Sequence, residues 1–137
     1  MNECLFCKIA NGESPSFKLF EDEFVIAFLD LSPVNYGHTL VVPKEHVINI
    51  DSASEELLCT IMKSIKKVGF ALKEGLRVEG YNILLNNDAV AGQVIPHIHF
   101  HVIPRTKEDK LRHWPQQRYG DGEIEETLRR MHSAFER

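Results

Sequence analysis

Apolar positions alternate with polar ones in two different rhythms along this chain. Leu57, Leu58, Ile61, Met62, Ile65, Val68 and Leu72 recur at three- and four-residue spacing, which predicts one long amphipathic helix. Ser52-x-x-Glu55 reads as its capping box and Gly75 as its end. Ile124, Leu128, Met131 and Phe135 mark one face of a final helix, whose early Glu and late Arg residues suit the helix dipole. Residues 4–11 suggest a short helix stopped by Gly12. Strand signals fall at 18–21 and 24–30, either side of the turn-prone Asp22, and at 38–42, ended by Pro43. Residues 81–85 read as a buried strand, and 97–103 as a strictly alternating strand closed by Pro104. Residues 32–37 and 86–92 read as loops, and 106–122 as a charged, irregular surface segment around Trp114 and Pro115. Strands before and after one long helix predict an α+β fold around an antiparallel sheet.

Composition narrows the class. The chain has 137 residues, 43% hydrophobic and 26% charged, enough for one core, so residues 1–137 are expected to form a single domain. No apolar run approaches the roughly 18 residues that cross a bilayer. The opening Met1-Asn2-Glu3-Cys4 lacks the basic-then-apolar order of a secretion signal, so a cytoplasmic protein away from the membrane is the expectation. A net charge of −4 argues against nucleic acid as the partner but is compatible with a small anion held by local donors. The three cysteines, Cys4, Cys7 and Cys59, are an odd count and do not suggest a disulfide framework. Cys59 sits in the helical apolar pattern and reads as a small core residue. Cys4-x-x-Cys7 alone supplies half of a zinc site, which needs four ligands. No strand precedes it, as a thioredoxin-like redox motif requires.

The densest chemistry lies in His97-Ile98-His99-Phe100-His101-Val102-Ile103. In a strand, alternate side chains share a face, so the three imidazoles stand together while Ile98, Phe100 and Val102 turn to the core. Three adjacent imidazoles resist simultaneous charging, so some stay neutral near pH 7, and neutral imidazole is both a nucleophile and a metal ligand. The residues alone admit three readings: a nucleophilic enzyme, a hydrolase with a catalytic metal on the histidines, and a binding module that turns nothing over.

The pattern H-φ-H-φ-H-φ-φ, with φ apolar, resembles the motif of the histidine triad superfamily. The stretches Asp30-Leu31-Ser32-Pro33 and Gly37-His38-Thr39-Leu40-Val41-Val42-Pro43-Lys44-Glu45-His46 are similar to its second block. Asn86 and Ala91-Gly92-Gln93 are similar to the loop before the triad, and His113-Trp114-Pro115-Gln116 is looser in its likeness to bacterial members. The likeness covers about residues 3–105, leaving 106–137 as an irregular tail and a C-terminal helix. It implies an antiparallel sheet of about five strands with one long helix and a C-terminal helix.

Members of this family hydrolyse or transfer nucleoside monophosphates through a covalent nucleotidyl-histidine. The resemblance places the nucleophile at His99, a phosphate and leaving-group donor at His101, and an orienting histidine at His38. It places Asn86 and Gln93 on phosphate or leaving-group atoms and Asp30 on the ribose hydroxyls. It places Leu5, Phe6, Ile9, Phe28 and Leu29 in the walls of the base pocket, although each also suits plain core. It implies a structural zinc held by Cys4, Cys7, His46 and His97. It further implies purine nucleotides such as AMP or GMP derivatives as ligands and a homodimer as the assembly. A phosphoramidase or broad-specificity hydrolase is the expectation, with a dinucleoside polyphosphate hydrolase as the alternative. One position departs: many members carry a hydroxyl residue just after the Gln, where this chain has Val94. Val94 has no donor for a leaving-group atom, so weaker leaving-group assistance is expected.

Overall fold

The computed structural model describes residues 3–137. Met1 and Asn2, part of the stretch read for a secretion signal, lie outside the described residues. In chain order the elements are α1 (Leu5–Ala10), β1 (Lys18–Glu21), β2 (Val25–Leu29), β3 (Thr39–Pro43), α2 (Glu55–Leu76), β4 (Gly80–Leu85), β5 (Phe100–Arg105) and α3 (Glu123–Ala134). Short 3₁₀ turns occupy Ile50–Ser52 and Ala89–Ala91. The five strands form one antiparallel sheet in the order β1-β2-β3-β5-β4, as the α+β reading expected. No described helix is long and apolar enough to cross a membrane.

Each face of the sheet is covered by a different helix. Leu57, Ile61, Ile65, Val68 and Leu72 of α2 pack with Val25, Ala27, Val41, Phe100 and Val102. On the other face Phe6 and Ile9 of α1 pack with Ile26, Phe28, Leu40 and Val42. The alternation in β5 therefore sends Phe100 and Val102 to the α2 side. It leaves His101, paired with Leu40 and Leu84, on the α1 side.

Several local expectations are corrected. The N-cap of α2 is Ser54, whose Oγ accepts from Leu57 N at 3.1 Å. Ser52 instead closes a reciprocal capping box with Asn49 on the preceding 3₁₀ turn. Helix α2 passes Gly75 and stops at Arg77, whose φ of 59° is left-handed. Cys59 is exposed, because the five sheet-facing apolar residues claim the other side of the helix. β4 is only half-buried, as an edge strand with one neighbour. β5 begins at Phe100 and runs through Pro104. Pro104 pairs with Tyr81 beyond the reach of β3, so its missing N–H interrupts no ladder on that side. The apolar face of α3 is exposed rather than packed on the core.

The start of the tail is tied down by one carboxylate. Asp109 accepts from Arg105 Nε at 2.7 Å, from Thr106 N and Leu111 N at 3.0 Å, and from Asn35 Nδ2 at 3.2 Å. These bonds join the tail to the loop that precedes His38.

Candidate active site

His99 stands just before β5, where Ile98 N donates to Val47 O at 2.7 Å and anchors the segment. His99 Nδ1 lies 2.7 Å from the carbonyl of His97. A carbonyl only accepts, so His99 carries its proton on Nδ1 and Nε2 keeps a free lone pair. Burial lowers the His99 pKa below the ordinary histidine value, opposed by that hydrogen bond and by Asp30. The ring is therefore neutral near pH 7, as a nucleophile requires.

The same logic runs through the next two rings. Val34 N donates to His38 Nδ1 at 3.1 Å, so Nδ1 is unprotonated and the proton sits on Nε2. His38 Nε2 then donates to His101 Nδ1 at 2.9 Å. His101 is left with Nε2–H on the side of its ring away from His38. Burial first, then the neighbouring His99 and His38, hold the His101 pKa down to about 4. Burial also lowers the pKa of His38, with Asp30 pulling the other way.

His97 is turned away from this chemistry. Its Nε2–H donates to the carbonyl of Pro43 at 2.8 Å, which exposes Nδ1 as a bare donor atom. That Nδ1 lies 3.3 Å from Cys4 Sγ, 3.5 Å from Cys7 Sγ and 3.2 Å from His46 Nδ1. Cys7 Sγ lies 3.3 Å from His46 Nδ1. Zn–N and Zn–S bonds of about 2.1 and 2.3 Å need tetrahedral edges of roughly 3.3–3.8 Å, so this Cys₂His₂ set fits a zinc ion closely. Pro43 O fixes the tautomer that metal binding needs.

Asp30, His38 and His101 also converge, with Asp30 Oδ2 3.7 Å from His38 Nε2. This second cluster suits a metal poorly. A neutral imidazole that ligates through one nitrogen keeps its proton on the other. His38 Nδ1 receives the Val34 N–H, so its proton has to remain on Nε2, between the rings. The donor chemistry thus disfavours a catalytic metal at these histidines.

A cleft of about 360 Å³ opens onto His99 and His101. Leu5, Phe6, Ile9, Phe28, Leu29, Asp30 and Asn86 all line it. Asp30 uses Oδ1 to accept from Ser32 N at 2.8 Å, while Oδ2 faces His38. Asn86 also donates to Gly92 O at 3.5 Å. His38 stands behind His101 rather than in the cleft wall.

Gln93 is buried outside that wall, and its amide is fully engaged. Oε1 accepts from Asp88 N at 2.8 Å, while Nε2 donates to Ile48 O at 2.6 Å and Ile95 O at 3.1 Å. In this arrangement Gln93 supports the loop rather than facing the cleft. Val94 lines the cleft and is 89% exposed. Pro15, Ser16, Phe17, Leu31, Leu40, Gly92 and Ile95 complete the wall, and the sequence gives no site role to any of them, with Leu31, Leu40 and Gly92 known only as members of the resembling blocks. An aromatic residue in a polar connection was the one available signal, and it pointed to Phe17.

The HIT domain family model matches residues 11–108. An adenosine 5′-monophosphoramidase of Schizosaccharomyces pombe is 42% identical over 106 residues, covering 77% of this chain and 77% of that protein. The crystal structure of SMU.412c from Streptococcus mutans superposes with a TM-score of 0.90 at 39% identity, covering 100% of this chain and 87% of that one. A Zn-bound histidine triad family protein from Mycobacterium smegmatis superposes with a TM-score of 0.78 at 32% identity, covering 96% and 97% of the two chains. The triad, the sheet that carries it and these likenesses agree: the chain belongs to the HIT domain family.

Proposed function

We propose that this chain hydrolyses derivatives of purine nucleoside monophosphates, with His99 forming a covalent nucleotidyl intermediate. The observation that carries the reading is the 2.7 Å hydrogen bond from His99 Nδ1 to the His97 carbonyl, which leaves a neutral, lone-pair-bearing Nε2 beside the cleft. His99 Nε2 attacks the α-phosphorus, a P–N bond to the ring forms, and the bond to the leaving group breaks. His101 Nε2–H is the donor for a phosphate oxygen or the leaving atom. The leaving group departs with the bonding pair and takes a proton from His101 Nε2, and the water that enters in the second half returns a proton to that nitrogen. In the second half, water attacks phosphorus, the P–N bond to His99 breaks, and the nucleoside monophosphate leaves. His38 acts as a positioning residue through its bond to His101. Asp30 and Asn86 line the path for ribose and phosphate, and Gln93 holds the loop beside them.

The named activity of the yeast relative favours a phosphoramidate as substrate. Val94 supplies the specific observation for a second reading, a dinucleoside polyphosphate, because it offers the leaving nitrogen no hydroxyl. Cys4, Cys7, His46 and His97 would hold a zinc ion, whose role is to staple the N-terminal segment to the triad. Residues 1–137 act as one domain in this reading, in the cytoplasm. The reading includes a homodimer joined along β4. This edge strand exposes Ile83, so pairing there covers an open sheet edge.

Initial rates of adenosine 5′-phosphoramidate hydrolysis by wild type and His99→Ala, with diadenosine tetraphosphate in parallel, test this reading. A loss of about 1,000-fold or more is expected for the variant. Equal rates would remove His99 as the nucleophile, and the ratio between substrates separates the two readings.

A further inference from the structure

Phe17 is 69% exposed, yet its side chain lines the cleft that opens onto His99 and His101. A surface Phe needs no explanation by itself. This one shares the cleft wall with the buried residues Phe6, Ile9 and Phe28. It belongs to the connection from α1 to β1, and Pro15 two residues earlier restricts the backbone there. Leu29 N donates to Phe17 O at 2.9 Å, which extends the β1–β2 pairing by one bond. The backbone that carries the ring is thereby fixed beside Leu29, the residue that precedes Asp30. Its exposure is that of a preset aromatic surface rather than of a loose loop tip.

We infer that Phe17 is a specificity-determining residue that stacks against the base of a bound nucleotide, closing the open side of the apolar cleft. The inference rests on the reading of the cleft as a nucleotide site and adds the residue that reads the base. The cleft combines imidazole and amide donors with an apolar, aromatic-lined wall. Its occupant therefore pairs an anionic group with a flat apolar one. A flat heteroaromatic ring is the group that an exposed Phe face receives best, because stacking needs no matched hydrogen bonds. A purine offers the larger face and gains more from the contact than a pyrimidine.

Calorimetric titration of the whole chain with AMP and with ribose 5-phosphate, for wild type, Phe17→Ala and Phe17→Trp, tests this. AMP binding is expected to weaken roughly 5- to 100-fold in Phe17→Ala and to stay within a few-fold of wild type in Phe17→Trp. Ribose 5-phosphate, which lacks the base, is expected to bind all three alike. In turnover, KM rises in Phe17→Ala while kcat holds. Unchanged AMP affinity in Phe17→Ala overturns the inference, as does an equal loss for both ligands or no AMP binding by wild type. If wild type binds AMP with the expected Phe17 dependence but cleaves no phosphoramidate, the hydrolase reading fails and the stacking role stands. If turnover is intact and Phe17→Ala binds AMP like wild type, the stacking role alone fails.

Discussion

His38 Nε2 lies 2.9 Å from His101 Nδ1, and the direction of that hydrogen bond is set by a third residue. Val34 presents a backbone N–H to the other nitrogen of His38, so the proton between the rings belongs to His38. Two imidazoles are thus locked into one tautomeric order, which leaves His101 with a single outward donor.

Replacing His38 tests that order. His38→Ala is expected to lower kcat roughly 10- to 100-fold with a smaller change in KM, the size seen when the orienting partner of a functional histidine is removed. His38→Gln, whose amide offers a donor to His101, is expected to recover part of the loss. Steady-state kinetics on a phosphoramidate gives the split. A change confined to KM would place His38 in ligand binding instead.

Acid is expected to destabilise the fold in a window set by the buried histidines. His101 has a folded pKa of about 4 against an ordinary value of 6.5. Between those values the unfolded chain binds protons that the native chain refuses, so stability falls as pH drops from about 6.5 to about 4 and levels off below. His38 and His99 shift in the same direction. Urea midpoints at pH 7, 6 and 5 measure the slope, and His101→Asn should flatten it. Identical slopes in variant and wild type would exclude His101 as a source.

Metal analysis of protein purified without added zinc is expected to give about one zinc per chain. Chelation should lower Tm, because metal binding energy at such a site is folding energy. Cys7→Ser and His46→Ala should each lose metal. Zinc well below one per chain, with an unchanged melt in chelator, would refute the site.

Val94→Ser places a hydroxyl where the cleft wall now has an exposed apolar side chain. One hydrogen bond to the leaving atom corresponds to an expected gain of about 2- to 10-fold in phosphoramidate kcat. Unchanged turnover would show that the leaving group does not use this position.

Gly37 has a φ of +104°, and a Cβ there would come within 2.5 Å of Leu76 Cδ1. Gly37→Ala is expected to cost about 1–3 kcal/mol from backbone strain and crowding. A urea melt measures it. Because the residue precedes His38, activity should fall along with stability.

The fold class and most elements were legible because they rest on local periodicity. The helical spacing of Leu57 to Leu72 and the alternation after His97 each follow from the geometry of one element. Errors came where two local solutions competed. Ser52 and Ser54 are both competent caps, and the turn at Asn49 took the first. Cys59 fits the apolar pattern as well as Leu58 does, but the sheet accepts only one side of α2. The face of α3 is as apolar as a core helix needs, and the pattern carries no sign that it meets no sheet.

For the candidate site, the sequence by itself determined that three imidazoles alternate with the apolar residues Ile98, Phe100 and Val102 along one segment, although only His101 lies within β5 itself. It also determined that Cys4 and Cys7 stand three residues apart at the start of one short helix, Cys4 as its extended N-cap and Cys7 within its first turn. Only the tertiary structure decided how the histidines divide their work. His97 is turned to the cysteines by Pro43, 54 positions away, while His99 turns to the carbonyl two residues back and His101 to His38. Which nitrogen of an imidazole carries the proton is set by the partner it meets. Those partners are backbone groups and rings brought close by the sheet, and no spacing along the chain encodes them.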